Sequence, residues 1–372
     1  MRVTKALISE DNFLYNLRNI REKTGKHRKI CIAVKADAYG HGAAALAGRA
    51  VETASADYLG VAAVSEGAAL REKGLKAPIL LFSLASSGET GELFDFDITP
   101  FTADISYLND IAKEAQKRGV RKTVHLKIDT GMRRIGCRPE EAPLIAEFIS
   151  ENKNLKLGGI CTHFPVSDTR DREFTENQIA LFKNTLDKIR EKKIDTGLVH
   201  AANSGAILQY PEAWFDMVRP GIILYGSYPD TETEKTFDIK PVMTFESSVL
   251  FIKKVKKGDR VSYGLTWEAK EDTFIATIPA GYADGYNRLL SSRGKVEING
   301  SLYPVAGRVC MDQFMVDIGN NSSIKTGDKV ILFGGNSAVS GDSVAQLCGT
   351  IPYEIYCNIN KRVPRIIVQG SL

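Results

Sequence analysis

A chain of 372 residues exceeds the roughly 250–300 at which one hydrophobic core stops growing, so two domains are expected. It is 43% hydrophobic and 25% charged, with 49 basic against 45 acidic residues and no concentrated basic stripe, which argues against a disordered chain and against a nucleic-acid surface. No apolar run approaches 18 residues, the chain opens Met-Arg-Val-Thr-Lys without an apolar signal segment, and six scattered cysteines show no metal-like pairing. The expectation is a cytoplasmic protein with reduced thiols, no membrane span and no metal site.

In chain order, Ser9 is placed to cap a helix in which Phe13, Leu17 and Ile20 share one stripe, with Gly25 as its stop. Residues 30–34 are all apolar and read as a buried strand, and Lys35 stands where that strand ends. An ammonium buried without a partner is costly, and its escapes are a depressed pKa or conversion to an imine. Residues 36–42 then supply small side chains, Tyr39 and two glycines, which lets backbone and a phenol close around an anion. Together these suggest a Schiff-base lysine beside a phosphate site, the chemistry of pyridoxal 5'-phosphate. Taken alone, Lys35 also fits a strand-end lysine reaching back to solvent.

Further strands are expected at 58–64, 78–82, 98–100, 124–128, 157–163, 198–201 and 217–224, with amphipathic stretches between several of them. One such stretch runs from Thr175, with Ile179, Phe182, Leu186 and Ile189 on one stripe. Eight strand–helix units is the count for a (β/α)8 TIM-like barrel. Residues 226–241 are polar and rich in breakers, a linker. Beyond them short strands and tight turns dominate, and only 342–347 looks helical. The fold class is therefore α/β: a barrel domain over 1–230, whose first few residues are free to join the other domain, then a mainly β domain over 241–372.

A barrel does its chemistry at the C-terminal ends of its strands. Lys35 follows the first strand, 127–134 the fifth, His163 the sixth, His200 with Asn203 and Ser204 the seventh, and Arg219 lies in the eighth. This repetition of polar groups where apolar strands run out weighs against the solvent-seeking reading of Lys35.

These segments resemble the alanine racemases almost from end to end. Beyond the lysine motif the resemblance covers 127–136, Thr162-His163-Phe164, Asn203-Ser204, 219–226 and Val261-Ser262-Tyr263-Gly264. It continues through 281–285, 307–312, Tyr353-Glu354 and Arg362-Val363-Pro364-Arg365. It implies a pyridoxal-phosphate enzyme that interconverts L- and D-alanine for peptidoglycan, as a head-to-tail homodimer with shared active sites. Lys35 would be the imine lysine and one catalytic base, and Tyr263 the other, reaching the partner's cofactor. Tyr39, Ser204, Tyr353 and the backbone near Gly221 and Ile222 would hold the phosphate, with Asn203 beside them. Arg219 would face the pyridine nitrogen, backed by His200, and His163 would link it to Tyr263. Arg134 and the Met311 backbone N–H would take the substrate carboxylate.

Lys127 resembles a lysine that the family carbamylates; an ordinary Lys–Asp pair with Asp129 stays open. His27, His41 and His125 carry no assigned role. The chain departs from the family at Arg133, where Gly, Asn or His is usual, and at Trp267, which replaces a commoner tyrosine. Three other functions compete: a serine or broader-specificity racemase, a barrel-type decarboxylase, which would want an acidic partner at the position of Arg219, and a non-catalytic cofactor-binding protein.

Overall fold

Eight parallel strands close on themselves in this computed structural model, which describes residues 2–53, 55–320, 323–335 and 337–370. After β1 (Lys5–Ser9) come β2 (Lys29–Ala33), β3 (Tyr58–Val61), β4 (Ile79–Leu81), β5 (Ile98–Thr102), β6 (Lys122–Lys127), β7 (Leu155–Cys161), β8 (Leu198–His200) and β9 (Met217–Val218). β9 pairs back onto β2 and closes the barrel. Its interior is filled by Cys31, Leu80, Phe101, Cys161 and Met217, all buried.

The helices follow their caps and stripes. Ser9 caps helix Glu10–Thr24 by accepting from the Asn12 N–H, and Gly25 ends it at φ 89°. Phe13, Leu17 and Ile20 are buried on its inner face, and helix Glu173–Glu191 buries Ile179, Phe182, Leu186 and Ile189. This is the apolar stripe that lets a helix pack on a barrel.

Several strands are shorter at the C-terminal end than their apolar content suggested. The run 58–64 ends at Val61, because Val64 opens helix Val64–Glu72, whose Glu66 carboxylate takes the N–H groups of Ala62 and Ala63. The run 157–163 begins earlier, at Leu155, and ends at Cys161. The run 217–224 ends at Val218: Pro220 has no N–H to donate, and Ile222–Tyr225 wind into a buried 3-10 turn. Hydrophobicity reports burial, and here burial continues after the strand geometry has stopped.

Residues 226–241 form neither helix nor strand, and their ends meet, the Val242 N–H bonding the Tyr225 carbonyl at 3.2 Å. The second domain is mainly β. Its largest sheet runs Ser301–Pro304, Lys295–Ile298, Lys329–Gly334, Met243–Ser248, β1, Arg365–Val368. The N-terminal strand thus lies in this sheet, antiparallel to Met243–Ser248 and parallel to Arg365–Val368. A three-stranded sheet joins Phe251–Val255, Thr273–Ile278 and Phe314–Gly319, and a short hairpin of Arg260–Val261 and Trp267–Glu268 carries Tyr263 at its tip. The helix Gly341–Cys348 matches expectation. A second helix, Pro352–Cys357, does not: six residues are too few to show a period, and Pro352 in its first turn is the one local signal.

Candidate active site

Lys35 leaves β2 through an unusual turn. Ala36, Asp37, Ala38 and Tyr39 all have φ between 51° and 55°, a left-handed helical turn without glycine. Each such residue costs roughly 1–2 kcal/mol, so the surroundings must over-determine the conformation. The Ala36 N–H donates to Glu66 Oε1 at 2.6 Å, and the Ala38 N–H to the Val34 carbonyl at 2.8 Å. His41 Nδ1 lies 3.0 Å from the Ala38 carbonyl and 2.9 Å from that of Tyr39, and Arg365 Nε donates to the Gly40 carbonyl at 3.0 Å. His41, given no role from sequence, is a clamp on this turn.

The turn puts Lys35 and Tyr39 on a cavity of about 330 Å³ at the C-terminal mouth of the barrel. Lys127, Arg134, His163, Asn203, Ser204, Arg219, Gly221, Ile222 and Tyr353 line it too. Tyr263 and Met311 do not; they are 72% and 53% exposed on the β domain. The lining carries four cations, Lys35, Lys127, Arg134 and Arg219, against one carboxylate, Asp168. Burial, and then the Arg134 charge, pulls the Lys35 amine below its ordinary range.

Arg219 is buried and makes no ion pair among the described residues. Its Nη1 donates to His200 Nδ1 at 2.7 Å, and its Nη2 to the carbonyls of Thr162 at 2.7 Å and Ala201 at 2.9 Å. His163 Nδ1 stands 3.5 Å from Nη2, a long contact. Burial first, and the surrounding cations second, hold His163 well below its usual pKa, hence neutral. Behind it the Thr130 and Thr162 hydroxyls meet at 2.7 Å and Gln178 Nε2 donates to Thr130 Oγ1 at 3.0 Å, a buried polar tier in which only Gln178 lies outside the segments of resemblance.

On the opposite side Ser204 Oγ accepts the Gly221 N–H at 2.9 Å. A Cβ at Gly221 would stand 2.7 Å from the Tyr39 hydroxyl, so the cradle formed by Tyr39, Ser204 and this backbone needs glycine there. Tyr353 packs on Tyr39 with ring centroids 5.7 Å apart. Asn203 lines the cavity, yet its side chain serves the backbone: Oδ1 accepts from the Ala206 N–H and the Ser167 hydroxyl, and Nδ2 donates to the Phe164 carbonyl.

The Lys127–Asp129 pair does not form. Asp129 Oδ1 accepts instead from the N–H groups of Gly131 at 2.9 Å and Arg133 at 3.1 Å, because the loop after β6 turns back over it. Arg133 takes φ 58° and is exposed, outside the cavity lining, while Arg134 faces the cavity. Lys127 lies 5.9 Å over the Phe101 ring, and burial lowers its pKa to about 8.

The family model "Alanine racemase, N-terminal domain" matches residues 8–229, and "Alanine racemase, C-terminal domain" matches 242–367. An alanine racemase of Treponema denticola is 47% identical over 380 residues, with all of both chains covered. The solved alanine racemase of Clostridium difficile 630 superposes with a TM-score of 0.95 at 38% identity, covering 100% of this chain and 97% of that one. The same enzyme in complex with cycloserine gives 0.93 at 36%, with 100% and 97% covered.

Lys127 gives the cavity a signature in pH. Its amine holds a proton to about pH 8 in the fold and to 10.5 in its ordinary state, so between these values the unfolded chain binds more protons. Unfolding free energy therefore rises with pH across roughly pH 8 to 10.5 and is flat with respect to this group below that window. Lys127→Met is expected to remove a few kcal/mol of that rise in cofactor-free protein under carbon-dioxide-free buffer. Urea unfolding at both ends of the window measures it, and an unchanged slope would refute the assignment.

Proposed function

The chain belongs to the alanine racemase family and is an isomerase, and from that premise we propose that it interconverts L- and D-alanine using pyridoxal phosphate and two bases donated by different subunits. The observation that carries this reading is the cavity: a lysine of depressed pKa at the head of a site with four cations, one carboxylate and a hydroxyl cradle. A buried guanidinium with only neutral acceptors lacks a compensating charge until an anion arrives, and a phosphate dianion carried with a pyridine ring supplies that charge and a further acceptor. The residues present therefore fit that cofactor.

Lys35 would hold it covalently through Nζ. Tyr39, Ser204, Tyr353 and the backbone at Gly221 and Ile222 would bind the phosphate, and Arg219 would face the ring nitrogen. Bound there, pyridoxal phosphate supplies the electron sink that acidifies the α-hydrogen of an amino acid. Arg219 keeps its own proton at any working pH and so leaves the ring nitrogen unprotonated, which weakens that sink and disfavours transamination and decarboxylation. Arg134 would receive the substrate carboxylate in a bidentate pair.

Racemisation removes the α-proton from one face and returns a proton on the other, so it needs a proton-handling group on each side. Lys35 Nζ serves one face, its depressed pKa raising the fraction of free amine. Tyr263 would serve the other from a second copy of the chain, which is the use its 72% exposure at a hairpin tip supports. Its hydroxyl would meet the cations of the second cavity, and these favour the phenolate. Met311, exposed on the same domain, would bring its backbone N–H to the substrate carboxylate from that copy too. The D-alanine made in this way would feed peptidoglycan synthesis.

Chiral analysis of the purified protein with each L-amino acid tests the substrate; alanine is expected to racemise fastest, and a clear preference for serine or a basic amino acid would overturn the choice. Lys35→Ala is expected to lose activity together with the visible absorbance of the lysine-bound cofactor. Identical spectra for mutant and wild type would reject the cofactor assignment. Tyr263→Phe is expected to slow α-proton exchange into deuterated solvent by at least about a hundredfold from L-alanine and far less from D-alanine. Equal losses from both enantiomers would argue against separate bases on the two faces.

A further inference from the structure

The buried side of Arg219 ends on two histidines, and only the nearer one touches the guanidinium. His200 Nδ1 is 2.7 Å from Arg219 Nη1, and His200 Nε2 is 2.8 Å from His125 Nδ1. Both rings are buried in the barrel, beside Phe101. A guanidinium has donors and no acceptor, so His200 must accept at Nδ1. A neutral imidazole that accepts at one nitrogen carries its proton on the other. His200 therefore donates from Nε2 to His125 Nδ1, and the His125 proton sits on Nε2. One obligate donor fixes the polarity of the whole chain.

We propose that His125 is a positioning residue for Arg219: it accepts the Nε2–H that the guanidinium imposes on His200, and so holds that ring, and through it the direction in which the guanidinium points. The opposite tautomer would set a His200 N–H against a guanidinium N–H, two donors in conflict, and would leave a buried carrier of positive charge short of an acceptor. The barrel is built to admit this ring. His125 on β6 pairs with Gly159 on β7, where a Cβ would stand 2.7 Å from His125 Nδ1; one at Gly158 would stand 3.2 Å from Nε2. Burial, reinforced by the Arg219 charge, keeps the His125 imidazole neutral down to about pH 3, and His200 is held neutral in the same way. The polarity therefore persists across the working range of pH.

The importance of the chain for activity rests on the reading of Arg219 as partner of the ring nitrogen, but the tautomer itself does not, so the two can fail separately. Imidazole ¹⁵N resonances of the full-length protein, with and without pyridoxal phosphate, are expected to show His200 protonated at Nε2. His125→Asn, whose Oδ1 can stand where Nδ1 stood, is expected to keep that tautomer and bind the cofactor within about threefold of wild type. His125→Phe fills the volume without an acceptor; it is expected to move the His200 Nε2–H resonance out of its hydrogen-bonded position and to weaken cofactor binding, read by fluorescence titration, about tenfold. Wild-type His200 protonated at Nδ1, or a His125→Phe protein with an unchanged His200 spectrum, would overturn the proposal. Should His125→Phe fail to fold, a His125→Asn protein whose His200 Nε2–H resonance leaves its hydrogen-bonded position would overturn the proposal, and one that keeps it would support it. A wild type that shows the tautomer yet binds no pyridoxal phosphate would sink the cofactor reading alone.

Discussion

A guanidinium buried at the mouth of a barrel with no carboxylate beside it is the constraint from which the rest of this molecule follows. Arg219 spends its protons on two backbone carbonyls and one imidazole. None of those partners carries a compensating charge, and Lys127 and Arg134 add to the excess. In a medium of low effective dielectric such an arrangement is unfavourable by itself and favourable towards an anion, so the same feature that lowers the stability of the free protein supplies affinity for a negatively charged ligand. The neutrality of His163 and His200 follows from their burial first and from this field second. The Lys35 amine is depressed by its own burial first and by the Arg134 charge second.

The second constraint is the left-handed turn after β2. Four residues outside the favoured backbone region are an expense of several kcal/mol, met by contacts from three separate parts of the chain. Glu66 belongs to a neighbouring barrel helix, His41 to the turn itself, and Arg365 to the β domain. Arg365 sits in the strand that runs parallel to β1, and β1 leads directly into the first barrel helix. The β domain thus holds the turn that begins at Lys35 from outside the barrel while presenting Tyr263 and Met311 away from it. The two tasks require the two domains to be fixed to each other, and the N-terminal strand inside the C-terminal sheet does so.

Much of this was legible in the sequence, and the parts that were not share a cause. Lys35 could be read because a charge follows five apolar residues, and Arg219, His163 and Ser204 because polar groups recur where apolar runs end. The handedness of 36–39 could not: Ala-Asp-Ala-Tyr contains no glycine, and the contacts that impose it lie 30 and 325 residues away. The Lys127–Asp129 pair looked reasonable at a spacing of two, but side chains two apart share a face only while the strand lasts, and the strand ends at Lys127, so the loop takes the carboxylate for its own N–H groups. His125 was passed over although a signal existed. The Gly158-Gly159 pair inside a largely apolar strand marks a place of close approach, shared by the Thr123 methyl, the Leu198 carbonyl and the His125 ring.

Shared catalysis between two chains is the claim on which the stereochemistry stands, and subunit mixing probes it most directly. Lys35→Ala and Tyr263→Phe chains carrying different affinity tags should each form weakly active or inactive homodimers. In a mixed dimer, the cavity with an intact lysine receives the intact tyrosine of the other chain, so doubly tagged dimers should recover racemisation from one of their two sites. Doubly tagged dimers that form normally yet remain as inactive as both parents would contradict the account.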